Sequence, residues 1–203
     1  MAFAVQPAAL ITRTDSPWKT FDEFVAKVKA NPGKHNVGGS PLRGFFDQAG
    51  ILLSSKAGIS FNYVPTGGAP ETLNALVGGQ VDTALTYAST AKGQIKAGKM
   101  RALAIFADRR IADLPDVPTL KELGIDVTYT AFYGIGALKG TPPEVSRALE
   151  DAFTKAFNSP EFQSDLRKVG LEPQYLDAKD FRRFLDEEVT KLRVVMDLFD
   201  KRK

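Results

Sequence analysis

The 203-residue chain contains no cysteine, one histidine (His35) and one tryptophan (Trp18). Without cysteine there is neither a disulfide nor a thiolate metal site, and both the cytoplasm and a bacterial periplasm stay open as compartments. A lone histidine means that any histidine relay or metal cluster would have to rest on His35 alone. No stretch approaches the roughly 20 apolar residues that a membrane span needs, so direct insertion into a membrane is not expected. Neither sign of charge dominates: 27 Lys and Arg against 24 Asp and Glu leave +3. The basic residues are interspersed with acids, which argues against nucleic-acid binding, and Lys201-Arg202-Lys203 reads as a short solvated run. The opening MAFAVQPAALITRTD lacks a basic leader and is broken by Gln6-Pro7, so it does not read as a signal peptide. Its apolar character suits a buried strand.

What is present, 43% hydrophobic and 25% charged residues, describes a globular chain with enough length for a substantial core. Strand and helix patterns alternate, which predicts an α/β fold. Residues 8–14 read as a strand. Thr20-Phe21-Asp22-Glu23 has the spacing of a capping box, opening a helix that Asn31-Pro32-Gly33 stops. A short strand at Asn36-Val37 runs into Gly38-Gly39-Ser40-Pro41 and a second helix. The stretch 64–84 repeats this plan with a strand end, Gly67-Gly68, a helix with Pro70 in its first turn, Gly78-Gly79 and a new strand. Such a unit leaves N–H groups free at the helix start, ready for a carboxylate or another anion. Ordinary β-to-α turns look the same, so the pattern does not by itself single out a site. Residues 100–106 suit a strand buried on both faces. The segment 108–124 reads as a connection with a short helix at 120–123, residues 128–138 as a strand, and the last third as mostly helical. Its closing helix, 178–199, is expected to pack one face.

Catalytic patterns are weak. Ser40 lies five residues after His35, but Gly38-Gly39-Ser40-Pro41-Leu42 lacks the last glycine of a nucleophile elbow. A hydrolase using Ser40 and His35 would require the two side chains within hydrogen-bonding reach. The 93–99 match to a phosphate loop has Met100 in place of Ser or Thr and precedes a strand instead of following one. No catalytic residue, metal ligand or cofactor emerges, and Ser40 reads first as a helix cap.

A run of short motifs in fixed order is more specific. Asn31-Pro32-Gly33-Lys34, Gly39-Ser40, Val64-Pro65 with Gly67-Gly68, and Leu76-Val77-Gly78-Gly79-Gln80-Val81-Asp82 come first. Ile95-Lys96-Ala97-Gly98-Lys99-Met100-Arg101-Ala102-Leu103-Ala104, Arg109, Leu114-Pro115-Asp116-Val117-Pro118-Thr119 and Phe132-Tyr133-Gly134 follow. Together they resemble the Bug family, the solute-binding proteins of tripartite tricarboxylate transporters, over essentially the whole chain. The resemblance implies a periplasmic, non-enzymatic component with a type II periplasmic-binding-protein fold. It implies a small carboxylate held in an inter-lobe cleft by glycine-loop amides and hydroxyls, and the transporter's membrane subunits as partners. Carried onto this sequence, the ligand-binding candidates are Gly39, Ser40, Leu42, Arg43, Thr66, Gly67, Gly68, Thr86, Tyr87 and Phe132. Thr66-Gly67 stands where members often have Tyr-Lys, and Thr86 where some have an acid or amide, which disfavours an amino-acid ligand. Arg43 suits a carboxylate, although an exposed arginine at a helix start is more often solvated.

Family members carry about a hundred further residues before the point matched by Met1. The expected organisation is therefore a crossing strand at 1–11, a complete lobe at 12–108, a connection at 109–127 and the C-terminal part of the other lobe at 128–203. From this follow two expectations: weakened ligand binding, and apolar surface on 131–138 and the last helices that favours self-association. The runner-up is the effector domain of a LysR-type transcription regulator, which shares the general fold but has other motifs.

Overall fold

Thr20 starts the first helix as its spacing predicts. Its hydroxyl accepts the Glu23 N–H at 3.2 Å, and the Glu23 carboxylate accepts the Thr20 N–H at 3.3 Å. That reciprocal closure sets the entry of α1 (Phe21–Ala30), whose Phe21, Phe24 and Val28 are buried at helical spacing. The computed structural model describes residues 1–202; Lys203, part of the basic terminal run, lies outside the described residues. The other elements are β1 (Ala2–Arg13), β2 (Asn36–Gly39), α2 (Phe45–Ala57), β3 (Asn62–Pro65), α3 (Ala69–Val77), β4 (Thr83–Tyr87), α4 (Ala88–Lys96) and β5 (Met100–Ile105). They are followed by β6 (Thr130–Gly134), α5 (Pro143–Phe157), α6 (Pro160–Lys168), β7 (Glu172–Leu176) and α7 (Ala178–Lys201).

The chain divides into two units. The larger holds Pro7–Thr130 and the chain from Val195 onward; the smaller holds Met1–Gln6 and Ala131–Val194. In the larger unit the strands run in the order β3-β2-β4-β1-β5. Strands β2, β3 and β4 are parallel, and β1 is antiparallel to both β4 and β5. Alternation along each strand then feeds two cores. Leu10, Val37 and Leu85 face α1 and α2, joining Phe24, Val28 and Leu53. Ile11, Ala84 and Ile105 join Leu73 and Leu76 of α3 and Ala91 of α4. Cover on both faces is what parallel strands require.

Several boundaries differ from those read in the sequence. The first strand joins the two stretches read as strand, 1–11 and 8–14, into one element that begins at Ala2 and continues through Gln6-Pro7 to Arg13. Residues 2–5 pair with β7 and residues 8–13 with β4 and β5, so Pro7, which has no N–H, stands where the ladder changes partner. The 109–127 segment is not a bare connection: Ile111 and Leu114 join one core, and Leu120 and Val127 the other. Its expected helix is a hydrogen-bonded turn, closed by Thr119 and Glu122 bonding each other's N–H at 2.7 and 3.2 Å. Leu120 N–H donates to Ile105 C=O at 2.9 Å, which ties the turn to the sheet edge, and Gly124, with φ 78°, ends it after one turn. The last turns of α7 also belong to the larger unit, with Val195 and Phe199 buried in its first core.

In the smaller unit, β6 and β7 pair with the start of β1. Strand β6 covers only 130–134 of the expected 128–138, and the Ile135 N–H makes the last bond, to Met1 C=O at 2.9 Å. The apolar stripe of α5 is amphipathic as expected, yet no residue of that helix is fully buried. Leu138 and Val169 are 87% and 69% exposed. Two cavities of about 230 and 280 Å³ lie inside this unit; the larger is lined by Phe3, Phe153, Phe157, Phe162, Leu166 and Tyr175 among others.

His35 is enclosed, 6% exposed, with its ring 4.7 Å from that of Trp18 and 5.2 Å from that of Phe24. Burial lowers its pKa from the usual 6.5, and Asp82, whose carboxylate lies 3.9 Å from Nδ1, opposes this only partly. The unfolded chain therefore binds the His35 proton more readily than the folded one. Stability contributed by neutral His35 should be present above about pH 7 and fall as pH drops through 6.5, with a slope below about 1.4 kcal/mol per unit for one proton. Urea unfolding between pH 8 and 5 is expected to show this decline, and His35→Phe should flatten it.

Candidate functional site

Three neighbouring parallel strands, β3, β2 and β4, end on one edge of the larger unit, and each is followed by a helix. The N-cap residues of these helices, Gly44, Gly68 and Tyr87, make no side-chain cap bond. The contrast with Thr20 at α1 is chemical: a glycine pair and a tyrosine offer no short acceptor to the first-turn amides. Parallel pairing thus gathers seven sequence candidates, Gly39, Ser40, Thr66, Gly67, Gly68, Thr86 and Tyr87, onto adjacent strand ends.

Gly39 is needed for close approach. A Cβ there would collide with the Tyr63 hydroxyl and sit 3.0 Å from Phe46 Cβ. Its carbonyl accepts the Thr66 N–H at 2.8 Å and also the Thr66 hydroxyl, which couples the two glycine loops. Thr72, fully buried on α3, donates its hydroxyl to Gly68 C=O at 2.7 Å. The threonine hydroxyls thus brace the loops. Ser40 behaves as the cap it was read to be, with its Oγ accepting the Phe46 N–H of α2 at 2.9 Å.

Arg43 is exposed as expected, its side chain 61% accessible, yet it is anchored at both ends. Its backbone is left-handed (φ 60°), and its N–H donates to Asp47 at 2.8 Å. Its guanidinium reaches Asp200 at 3.3 Å and lies over the Phe199 ring. Arg202 likewise is not simply solvated: it pairs with Asp47 at 2.8 Å. Leu42 is 65% exposed beside this loop. Phe132 belongs to the smaller unit, where it packs on Phe181 and Phe184 with ring centroids 5.8 and 5.1 Å away.

Some contributors were missed in the sequence. Phe45, Phe46 and Tyr129 form an aromatic cluster with Tyr87, with centroids 4.8 to 5.5 Å apart. Phe45 and Phe46 were visible only as an apolar helix face, and Tyr129 lies 42 positions beyond Tyr87. Tyr63 donates its hydroxyl to Ser40 C=O at 2.8 Å, and burial pushes the phenol's pKa up, so it remains a donor. Thr86 is fully buried on β4, and its Oγ1 has no hydrogen-bond partner. An unmade buried bond of this kind costs about 1–3 kcal/mol. Thr86→Val should therefore raise stability by about 1 kcal/mol in urea unfolding.

The hydrolase arrangement does not form. Ser40 Oγ is engaged by Phe46, His35 Nδ1 faces Asp82, and His35 Nε2 has no partner. Among the described residues no group of three or more His, Cys, Asp or Glu is placed to hold a metal ion, and no helix is long and apolar enough to cross a membrane. What the edge offers is a set of helix-start amides beside an aromatic cluster, suited to an anion with an apolar body.

Comparison with known proteins shows the family. A family model described as "Tripartite tricarboxylate transporter family receptor" matches residues 1–200. A protein of Cupriavidus necator known as the UPF0065 protein in the gbd 5' region is 36% identical over 188 residues, 93% of this chain and 57% of that protein. The chain thus spans little more than half the length of that relative. Among solved structures, a TctC solute-binding protein from Polaromonas without ligand matches with TM-score 0.84 and 28% identity, covering 98% of this chain and 68% of that one. MatC from Rhodopseudomonas palustris with bound malate matches with TM-score 0.76 and 26% identity, over 95% of this chain and 67% of that one.

Proposed function

The chain belongs to the tripartite tricarboxylate transporter family of receptors, and from that premise we propose that it is a periplasmic solute-binding component. Its larger unit supplies one wall of a carboxylate site at the strand ends of β2, β3 and β4. The observation that carries the reading is the adjacent pair of helix starts, of α3 and α4, whose N-cap residues make no side-chain cap bond, beside the start of α2, where Ser40 Oγ takes the Phe46 N–H. Their first-turn amides and positive dipole ends suit a carboxylate. Gly39 and Gly67-Gly68 let ligand oxygens approach the backbone, and Tyr87 with Phe45 provides apolar contact for the carbon chain. The effector-domain alternative rested on general fold alone and has no comparable support. Malate is the first ligand to try, because a relative is named for holding it. The membrane subunits of a tripartite transporter are the proposed partners.

The chain covers 57% of the length of its Cupriavidus necator relative, and we propose that a second wall of the site comes from the part of such proteins that these residues do not span, so that these residues alone bind weakly. Thermal unfolding should be followed against malate and a panel of di- and tricarboxylates. A ligand at ten times its Kd stabilises by about 1.4 kcal/mol. A dose-dependent rise in Tm reached only at millimolar acid is the expected result. A cooperative melt that no carboxylate moves would remove the reading, and saturation at micromolar acid would remove the weak-binding part.

A further inference from the structure

The loop that follows β2 is held by residues from the far end of the chain. Asp47, in the first turn of α2, is 1% exposed. One of its oxygens accepts the Arg43 N–H and the other the Arg202 guanidinium, both at 2.8 Å. The Arg202 guanidinium also lies over the ring of Tyr63, whose hydroxyl bonds Ser40 C=O. The Arg43 guanidinium reaches back to Asp200 and Phe199. On the other side of the same residue, Arg43 C=O accepts from Gln48 Nε2 at 2.7 Å, and Gln48 Oε1 in turn accepts the Tyr129 hydroxyl. Every one of these residues lies in the larger unit.

This many restraints meet on a backbone that needs them. Arg43 is the only non-glycine residue with positive φ among the described residues. A left-handed backbone is unfavourable for a residue with a Cβ and persists where its surroundings over-determine it. Without Arg202, the Asp47 carboxylate would be buried with a single donor, a situation that drives rearrangement. The simplest relief is for the turn at residue 43 to swing Asp47 toward water. That movement would carry Ser40 and Gly39 out of register with the glycine loop at residue 67.

We propose that the end of α7 and the residue after it form a positioning device for the 39–43 loop, with Arg202, acting through Asp47, as the positioning residue. The loop is kept in a strained geometry that holds Gly39 and Ser40 beside the proposed ligand site. This rests on the carboxylate reading for its purpose, but not for its mechanics.

The test compares the wild-type chain with Arg202→Met and Arg202→Lys by amide hydrogen exchange and by malate titration. Arg202→Met is expected to speed exchange of the Arg43 amide at least tenfold and leave the Val28 amide in α1 unchanged. Arg202→Lys, which keeps a donor for Asp47, should recover most of the protection. The malate concentration for half-maximal Tm shift should rise at least fivefold in Arg202→Met and less in Arg202→Lys. Unchanged exchange at Arg43, or equal acceleration at Arg43 and Val28, would overturn the proposal. So would a loosened loop with unaltered malate response. If malate shifts none of the three proteins, the carboxylate reading fails, and the exchange comparison alone decides whether α7 holds the loop.

Discussion

Gly39→Val is expected to destabilise the protein by about 1–3 kcal/mol, the usual cost of forcing atoms into a packed site, and to weaken any carboxylate response at least tenfold. The stability loss follows from what a side chain at residue 39 would meet. The Tyr63 hydroxyl could swing away, but Phe46 Cβ, 3.0 Å from the new Cβ, is fixed to the backbone of α2 and cannot. Moving Tyr63 breaks its bond to Ser40 C=O and withdraws the ring beneath Arg202. Moving the strand instead breaks the Thr66 bond to Gly39 C=O. Either adjustment reshapes the loop, so binding should suffer more than stability. Gly93→Ala is the matched control: it lies within α4 with open space around it, and should stabilise by about 0.4–1 kcal/mol. Urea unfolding with a malate titration on both variants checks the pair; a Gly39→Val protein with wild-type stability and response would contradict the packing argument.

Phe24→Ala carries the largest expected loss of stability, about 3–5 kcal/mol. The ring is fully buried and contacts Phe21, Trp18 and His35, with centroids 6.3, 6.4 and 5.2 Å away. These neighbours are large, and two belong to segments tied down elsewhere. Trp18 Nε1 donates to Thr12 Oγ1 at 3.1 Å, and the His35 carbonyl accepts the Asn62 N–H at 2.7 Å. They cannot collapse fully into the space left behind. At about 2–4 °C per kcal/mol for a chain of this size, Tm should fall by about 10 °C. A second effect separates a cavity from general weakening: water admitted beside His35 should bring its pKa back toward the ordinary value, so the decline of stability below pH 7 should shrink. A fall of less than about 1 kcal/mol would show that α1 repacks freely.

The capping box at Thr20 and Glu23, the amphipathic face of α1 and the glycine turns after β2 and β3 were legible because each depends on residues a few positions apart. The order of strand, glycine loop and helix was legible for the same reason, and it put Gly39, Ser40, Thr66, Gly67 and Gly68 at strand ends, where the structure has them. Short-range reasoning failed where a distant partner outweighed local preference. The segment at 109–127 looked like a connection, but Leu120 and Val127 are drawn into the core by strands and helices far from them in sequence. The pairs of Arg43 with Asp200 and Arg202 with Asp47 were missed because the partners lie 157 and 155 positions apart.

The sequence by itself thus determined the α/β class, the helix starts and the family, since local hydrogen bonding, periodicity and short motifs are properties of contiguous residues. Only the tertiary structure decided which loops share an edge, that the Thr66 hydroxyl is turned to Gly39, that His35 is walled in by aromatics, and that Arg202 holds Asp47 across 155 positions. A buried carboxylate takes the donor that the completed packing brings to it, and the linear chain carries no mark of which one that is.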